Sequence, residues 1–361
     1  MRREFLQLAE KYKPGKDNLA GWFVSEKLDG TRCFWDGGLS RGVPTAQVPW
    51  ASILDPETGK RKAKVKPVAT GLWSRYGNPI IAPDEFLNLL PCCPLDGELW
   101  AGRGNFQLCR SICGGDTPDP RFMDQIVYAV YSSPSRASVF GDGEIKNANM
   151  LHAMNYDACE AWINEPEDYV QLPPRATFAE EASFLAANLD NGPGSKCYLH
   201  RQTKLFDIPE EAAAQVEAFL VRVLDQGGEG VVIRDPQATW VPKRHRQILK
   251  YKPYKDSEAT VVGFTSGRET LKGSRLRGMI GALVCKWHGK LFELAGLTDV
   301  EREFATQGMS DYADQYPGAC MPPHYQGRCF KVGDQVTFKY REVSDDGLPK
   351  EARYYRKRDV E

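Results

Sequence analysis

The sequence predicts an α+β domain over residues 1–253, followed by a small β-barrel domain over residues 254–361. The chain has 361 residues, a length that favours two domains, and 42% of them are hydrophobic, which is enough to form buried cores. Strand-like and helix-like segments mix up to Pro253, whereas short strands separated by glycine-rich turns fill the rest of the chain. This change of pattern places the domain boundary near Tyr254.

The first domain is predicted to begin with a helix over residues 2–12. Apolar side chains recur there at helical spacing and stop before a Pro-Gly pair, and they are Phe5, Leu8, Ala9 and Tyr12. The following segment, GWFVSEKLDGTRCFWDGG, predicts a strand, a turn and a second strand. Residues 40–71 contain many Pro, Lys and Gly and show little periodicity, so we expect a long surface insertion there.

Five further segments of the first domain are predicted strands, because they are rich in aromatic and β-branched residues. They are LWSRYGNPII, CCPLDGELW, QIVYAVYSS, EGVVIRDP and QILKYKPY. Two helices lie among them. Thr177 starts the first, with Glu180 at capping-box spacing, and Asp207 and Pro209 open the second, which ends before Gly227. Beyond Pro253 the predicted strands are EATVVGFTSG, MIGALVCKW, KLFELAGL and DQVTFKYREV.

Several classes of protein are disfavoured by composition. No run of eighteen apolar residues exists, so no membrane span is expected, and the charged N-terminus does not resemble a secretion signal. The ten cysteines include no Cys-x-x-Cys pair, which disfavours a zinc site and predicts reduced, mostly buried thiols in a cytosolic protein.

The positive charge is clustered, although the net charge is only −1. The basic segments are KRKAKVK at residues 60–66, KRHRQILKYKPYK at residues 243–255 and RYYRKR at residues 353–358. Such clusters on a neutral background favour a local anionic partner, while any one of them alone is more typical of a solvated surface.

Lys27 stands two residues before Asp29-Gly30, a pair that alone indicates only a turn. Four further segments follow in order: DGEL at residues 96–99, Tyr128, EGVVIR at residues 229–234, and KYK at residues 250–252. This ordered set, followed by a small barrel, resembles the covalent nucleotidyltransferases and specifically the ATP-dependent DNA ligases of the small two-domain phage type. The resemblance implies a nucleotidyltransferase domain, with ATP-grasp-like antiparallel sheets and helices, followed by an OB-fold barrel.

The resemblance makes Lys27 the nucleophile that attacks the α-phosphate of ATP and forms lysyl-AMP. A lysine must be neutral to attack, and free lysine is protonated at pH 7. Neighbouring cations favour the neutral amine, and Arg32, Lys250, Lys252 and a bound metal are candidates for that field.

The other nucleotide contacts also follow from the resemblance. Glu98 is expected to accept a hydrogen bond from the ribose hydroxyls, and Tyr128 to stack on adenine, with Tyr131 as a competing candidate. Glu26 is a further expected nucleotide contact. Glu229, with Glu98, is expected to bind Mg²⁺ or Mn²⁺, since Mg²⁺ prefers oxygen ligands.

The basic residues are assigned to phosphates. Lys250 and Lys252 would share one face of a strand and line the phosphate pocket, although gatekeeper lysines on an exposed strand edge show the same pattern. Arg32 is expected at the ribose and the nick. Arg75 is expected to bind the 5′-phosphate of the nick, with Arg41 as a rival for that role.

The C-terminal motif matches the family least well. Ala352 stands where the family usually has proline, and Lys350 where it usually has arginine. Lys350 and Arg358 are nevertheless the expected contacts to the β- and γ-phosphates. The alternative is a basic tail that touches DNA phosphates.

The sequence therefore predicts an ATP-dependent DNA ligase that seals 5′-phosphate/3′-hydroxyl nicks in duplex DNA during replication, repair or recombination. We expect a cytoplasmic monomer, in a bacterium or encoded by a phage. An RNA ligase or a GTP-using capping guanylyltransferase of the same superfamily is the alternative, although the segment RLRGMIGALVCKW resembles a DNA-ligase barrel. A non-catalytic nucleic-acid-binding protein is disfavoured because Lys27, Glu98 and Glu229 are all present.

Overall fold

The structure is a computed structural model that describes residues 6–52, 65–140, 172, 175–269, 273–321 and 324–358. The chain divides into two compact units, Met1–Tyr251 and Lys252–Glu361. The first is built from mixed sheets with helices and the second mainly from strands, so the predicted α+β class is confirmed.

The first unit contains two five-stranded sheets. In chain order the strands are β1 (Leu8–Lys11), β2 (Phe23–Glu26), β3 (Thr31–Asp36), β4 (Leu72–Ser74), β5 (Pro94–Trp100), β6 (Val127–Ser132), β7 (Cys197–Leu199), β8 (Thr203–Lys204), β9 (Val231–Arg234) and β10 (Arg244–Tyr251). The first sheet has the order β1-β10-β9-β2-β8 and the second β4-β3-β5-β6-β7. Their pairings are antiparallel except for β1 with β10 and β6 with β7, which are parallel.

Each sheet packs helices against one face. The described helices of this unit are α1 (Asp84–Leu87), α2 (Phe106–Gly114), α3 (Phe122–Gln125), α4 (Arg136–Phe140), α5 (Phe178–Asn188) and α6 (Pro209–Asp225), with a 3-10 turn at Thr45–Gln47. Helix α6 buries Ala212, Val216, Leu220 and Val223 against the first sheet. Burial of each Val or Leu contributes about 1.5–3 kcal/mol. A second core forms where α1, α2, α3 and α5 cover the second sheet.

The helix start signals in the sequence are confirmed. Thr177 caps α5 through a complete capping box with Glu180, which satisfies backbone donors at the helix start. Helix α6 starts at Pro209, and its acidic first turn suits the positive end of the helix dipole. The N-cap of this helix is Ile208 rather than Asp207.

Two predictions for the first unit are wrong. The N-terminal helix is absent from the described residues, since Leu8–Lys11 forms strand β1, which pairs with β10; residues 2–5 lie outside the described part. The prediction of a surface insertion is also wrong at both ends of the segment, because Val48, Trp50 and Ala69 are buried in a core with Trp73. Residues 53–64, including most of the KRKAKVK segment, are outside the described ranges.

The second unit is a six-stranded sheet with a short hairpin. Its strands are β11 (Lys255–Ser266), β12 (Ile280–Trp287), β13 (Lys290–Leu294), β14 (Cys320–Met321), β15 (Gln335–Tyr340), β16 (Glu342–Val343), β17 (Pro349–Lys350) and β18 (Arg353–Lys357), and its helical segments are a 3-10 turn at Val300–Arg302 and helix α7 (Gln307–Gln315). The main order is β13-β12-β11-β15-β18, with β14 paired to β11. A parallel bridge between Ala295 and Arg353 joins the end of β13 to β18.

The described cysteines are free thiols, and most are buried. Cys92 and Cys320 are exposed, and Cys159 lies outside the described ranges. Among the helices that the structure describes, none is long and apolar enough to cross a bilayer.

Candidate active site

A cavity of about 200 Å³ in the first unit is lined by residues from both sheets. Side chains alternate between the two faces of a strand. In each sheet, one set of residues packs into the core beneath the helices and the alternate set faces this cavity. Val24, Val231 and Leu249 belong to the core beneath α6. Their neighbours Ser25, Val232, Arg234, Ile248 and Lys250 line the cavity, as do Arg32, Glu98 and Tyr131 from the second sheet.

Lys27 lies where the chain passes from one sheet to the other. The predicted strand–turn–strand is confirmed, but β2 and β3 belong to different sheets, so this segment is not a hairpin. Antiparallel pairing places Glu26 opposite Val231, and the Lys27 backbone N–H donates to the Gly230 carbonyl oxygen at 2.8 Å. The same pairing brings Glu229 beside Lys27, and the ammonium donates to its carboxylate.

This ion pair differs from the expected cationic surroundings of the amine. An adjacent carboxylate favours the charged form of a lysine, and both side chains are largely shielded from water. Arg32, an expected source of positive field, is itself paired with Asp96. This contact stabilises the ammonium form of Lys27, so attack requires that Glu229 be neutralised or drawn away.

Gly30 makes room for the backbone of the neighbouring sheet. A Cβ atom at this position would lie 2.3 Å from the Leu99 carbonyl oxygen and 2.9 Å from Cγ of Glu98. Both distances are shorter than side chains tolerate, and a backbone atom in a central strand cannot shift at low cost. Glycine is thus required by close approach between the Lys27 turn and strand β5.

Replacing Gly30 by alanine should displace this turn, lower the free energy of unfolding by roughly 1–3 kcal/mol and slow any reaction at Lys27. Thermal melting measures the first effect and a Lys27 labelling assay the second. Gly114→Ala is the matched control, since its added Cβ meets nothing within 4 Å. Equal behaviour of the two variants would contradict the steric argument.

Arg32 is fixed by a buried carboxylate. Its Nε donates to one Asp96 oxygen at 2.7 Å and its Nη2 to the other at 2.6 Å. Trp240 Nε1 also donates to Asp96, at 3.0 Å. Burial is the largest single influence on the pKa of Arg32 and lowers it. The charge and hydrogen bond of Asp96, together with Tyr131 and Glu98, outweigh burial and hold this pKa above its ordinary value. Asp96 therefore orients the Arg32 side chain.

Glu98 lies directly opposite Arg32 across the β3–β5 pair and faces the cavity. Removal of its carboxylate from water raises the pKa of Glu98 to about 7, although the charges of Lys27 and Arg32 act in the opposite direction. Near neutral pH, Glu98 can therefore donate a proton as well as accept a hydrogen bond.

The raised pKa of Glu98 predicts a pH-dependent stability. The folded protein retains this proton between the ordinary pKa of 4.5 and about 7, whereas the unfolded chain releases it. The contribution is therefore complete below about 4.5 and is lost as pH rises through about 7. Between pH 5 and 8, the free energy of unfolding of the wild type should fall by roughly 2 kcal/mol relative to Glu98→Gln. Urea unfolding of both proteins at four pH values measures this, and parallel curves would exclude it.

The prediction for Tyr128 is wrong. Its side chain is fully buried, and its hydroxyl donates within the core toward the Leu95 and Cys33 carbonyl oxygens, at 2.8 and 3.0 Å. The strand register explains the error, because residues directly opposite each other point to the same face of the sheet. Tyr128 pairs with Leu99, which lies in the core, whereas Ala129 pairs with Glu98, which faces the cavity. The competing candidate, Tyr131, lies on the Glu98 side of β6 and lines the cavity.

Two titratable residues of the cavity lining were not predicted, Arg234 and His200. Arg234 donates to the Tyr131 carbonyl oxygen at 2.9 Å, and its guanidinium lies 5.3 Å from the Tyr131 ring centre. The position of Arg234 at the end of an apolar strand is the sequence feature that could have identified it. His200 is 8% exposed, and its Nε2 lies 2.8 Å from the Glu26 carbonyl oxygen. Nothing in the sequence around His200 distinguishes it.

Three further predicted residues line the same cavity: Glu26, Arg75 and Lys250. The Glu26 carboxylate accepts two hydrogen bonds from Arg103, both at 2.7 Å. The Arg75 guanidinium packs 4.7 Å from the Tyr76 ring centre and is exposed at the surface. Lys250 pairs with Val232 in the first sheet, so its position on a strand is confirmed.

Other predicted residues are placed elsewhere. Arg41 is bound on the surface by Asp84 at 2.6 Å and Asn88 at 2.7 Å, outside the residues that line the cavity. Lys252 lies beyond the end of β10 and begins the second unit, so it does not share a strand face with Lys250.

The predicted C-terminal residues are paired within the second unit. Lys350 lies 3.1 Å from a Glu342 carboxylate oxygen. Arg358 forms an ion pair with Glu258 across the sheet. Their predicted contacts to nucleotide phosphates stay predictions.

The donor set beside Lys27 suits a hard divalent cation. Glu229 pairs with Lys27, and the Glu98 carboxylate senses the charge of the same amine. Mg²⁺ bound with nucleotide phosphates usually takes only one or two protein carboxylates. In the described ranges, no cluster of three or more His, Cys, Asp or Glu could hold a metal by itself. Glu229 and Glu98 could therefore bind Mg²⁺ or Mn²⁺ together with phosphate oxygens of the substrate, which would complete the site.

Comparisons with known proteins agree with this architecture. Residues 273–358 match the family model of the DNA ligase OB-like domain, which confirms the predicted OB fold of the second unit. A DNA ligase of Haemophilus influenzae is 25% identical over 341 residues, covering 94% of this chain and 88% of that protein.

Solved structures show the same fold. One from a structure–function study of Lig E DNA ligases superposes with a TM-score of 0.61 at 23% identity, over 98% of both chains. Another, Pmar-Lig_PreS3, gives 0.57 at 17% identity, over 98% of this chain and 67% of that one. The resemblance to DNA ligases that the motifs predicted is confirmed.

Proposed function

We propose that this chain, which resembles DNA ligases along almost its whole length and shares their fold, is an ATP-dependent DNA ligase that seals nicks in duplex DNA. The observation that carries the proposal is the Lys27 amine beside Glu229, at a cavity that Glu98, Lys250 and Arg32 also line. A primary amine can attack a phosphate once the neighbouring carboxylate no longer holds it in the charged form.

The reaction has three steps. Lys27 Nζ first loses a proton to solvent. It then attacks the α-phosphorus of ATP and releases a second proton to solvent, so that an N–P bond forms, the bond to the β-phosphate breaks and pyrophosphate leaves. An oxygen of the 5′-phosphate at the nick then attacks the same phosphorus, which gives DNA-adenylate and frees Lys27. Finally, the 3′-hydroxyl attacks the 5′-phosphate, loses its proton to solvent and releases AMP.

The described residues support distinct roles in this scheme. Tyr131, rather than Tyr128, presents an aromatic ring to the base. Glu98 accepts from the ribose hydroxyls, and Lys250 neutralises phosphate charge as a point charge on a flexible stem. When bound at Glu229, Mg²⁺ or Mn²⁺ would neutralise phosphate oxygens and the carboxylate that holds Lys27. Arg32 and Arg75 remain the proposed contacts to the ribose and the 5′-phosphate of the nick.

A nick-sealing assay tests the proposal. Purified protein with ATP and Mg²⁺ should convert a labelled nicked duplex into the sealed strand, and α-labelled ATP should label the protein. Absence of both products from the wild-type protein would contradict the proposal.

The superfamily alternatives are separate arms of the same assay. Protein labelling by GTP in place of ATP would indicate a capping guanylyltransferase, and sealing of nicked RNA alone would indicate an RNA ligase. The match of residues 273–358 to a DNA ligase domain supports the DNA ligase.

The remaining parts of the proposal concern organisation. Residues 1–253 form the adenylation domain and residues 254–361 the OB-fold domain, a division supported by the two compact units. The enzyme acts as a cytoplasmic monomer. Gel filtration measures the oligomeric state directly.

A further inference from the structure

We infer that His200 selects ATP over purine nucleotides with an oxygen at position 6, by accepting a hydrogen bond from the 6-amino group of adenine. This inference rests on the proposed function, because it assigns base recognition within the same cavity. The role is one of specificity, and it is separate from the attack by Lys27.

The position of His200 fixes one of its ring nitrogens. The His200 backbone N–H donates to the Val130 carbonyl oxygen at 2.6 Å, which anchors the residue beside strand β6. Nε2 lies 2.8 Å from the Glu26 carbonyl oxygen. Since a carbonyl oxygen only accepts, Nε2 must carry the hydrogen.

The other ring nitrogen is then an acceptor. Burial lowers the pKa of His200, although the hydrogen bond to Glu26 acts in the opposite direction, so the imidazole is neutral near pH 7. A neutral ring with hydrogen on Nε2 has a lone pair on Nδ1. Within the part of the chain that the structure describes, Nδ1 has no hydrogen-bond partner, and His200 lines the cavity.

The surroundings of His200 suit a purine base. Tyr131 contributes an aromatic ring to the same cavity, and Val232 and Ile248 contribute apolar side chains. Aromatic and apolar faces bind bases of any identity, so discrimination needs a polar group. His200 is bonded to Glu26, the residue before Lys27, and therefore lies near the nucleophile.

The chemistry at position 6 separates the two purine classes. The 6-amino group of adenine donates hydrogen bonds, whereas the 6-oxygen of guanine or hypoxanthine only accepts. An oxygen opposite Nδ1 would bring two lone pairs together and leave a buried acceptor unpaired. His200 thus favours ATP and rejects GTP and ITP.

Labelling of the protein by α-labelled ATP and ITP tests this inference, since ITP differs from ATP at position 6 and in the N1 hydrogen that accompanies it. The ratio of kcat/KM for ATP to that for ITP should exceed roughly tenfold in the wild type. His200→Gln retains an N–H near the position of Nε2 but lacks an acceptor at the position of Nδ1. This variant should lower the ratio by roughly tenfold, as should His200→Phe, which retains only the ring volume.

The outcomes are distinguishable. If His200→Gln slows ATP and ITP equally, His200 only positions Glu26 and the inference fails. If the wild type is labelled by neither nucleotide, the proposed function fails instead. A purine nucleotide without a 6-substituent, tested on the wild type alone, should react more slowly than ATP and faster than ITP. Equal use of ATP and ITP by the wild type would overturn the inference even if the variants do not fold.

Discussion

Replacement of Lys27 by alanine should abolish transfer of label from α-labelled ATP to the protein and reduce nick sealing below detection. In the proposed reaction, the nitrogen of the Lys27 side chain forms the bond to phosphorus. Loss of the nucleophile removes the covalent route rather than one stabilising contact, so a reduction of at least roughly 10⁴-fold is expected.

Three controls make this result specific. Lys204→Ala removes an exposed lysine of the same unit, paired with Asp207, and should leave labelling unchanged. Lys27→Arg retains a positive charge beside Glu229 but supplies no nucleophile, because the guanidinium does not lose its proton near neutral pH. Supplying pre-adenylated nicked DNA to Lys27→Ala should restore some product, since the last step does not use the amine. Labelling that survives in Lys27→Ala would disprove the assignment.

Replacement of Asp96 by asparagine should lower the free energy of unfolding by about 3 kcal/mol. The half-buried guanidinium of Arg32 would then lack the Asp96 carboxylate that balances its charge. Asp96 is only 1% exposed and accepts from both Arg32 and Trp240. The asparagine amide keeps the size of the side chain but can satisfy fewer of these donors. Urea unfolding at pH 7 measures the loss.

A surface pair provides the comparison. Asp84→Asn removes the carboxylate partner of Arg41, but the Asp84 side chain is 84% exposed, and the stability should hardly change. Adding Arg32→Met to Asp96→Asn should recover part of the loss, because no unpaired charge then remains buried. A double variant less stable than Asp96→Asn alone would show that the cost lies elsewhere.

Local patterns in the sequence were sufficient for much of the fold. The capping box of Thr177 and the Pro209 start gave both long helices of the first unit, and aromatic or β-branched runs gave most strands. The N-terminal segment was misread because its four apolar residues fit a helical spacing. Its partner strand, β10, lies at the far end of the unit, and such distant pairing overrides local periodicity.

For the site as well, some features could be predicted from local sequence, and others depend on contacts between residues that are distant in the chain. The order of Lys27, Glu98, Glu229 and Lys250 along the chain predicted a shared site. Lys27, Glu98 and Lys250 line one cavity, and Glu229 contacts Lys27. Tyr128 and Tyr131 are three residues apart on one strand, so they must point to opposite faces, but the sequence does not say which face is buried. The pairing of Glu98 with Ala129 decides this. His200 reaches the cavity only through the fold.

The parallel pairing of β1 with β10 also has a consequence for synthesis of the protein. Gln7 Nε2 donates to the Thr239 carbonyl oxygen across 232 residues of sequence, and the Lys27 N–H is bonded to Gly230. A ribosome must therefore release nearly the whole first unit before these contacts can form. Contacts of such high sequence separation slow folding and expose strand edges meanwhile. Nascent chains that stop before β10 should be open to proteases at residues that the complete unit protects.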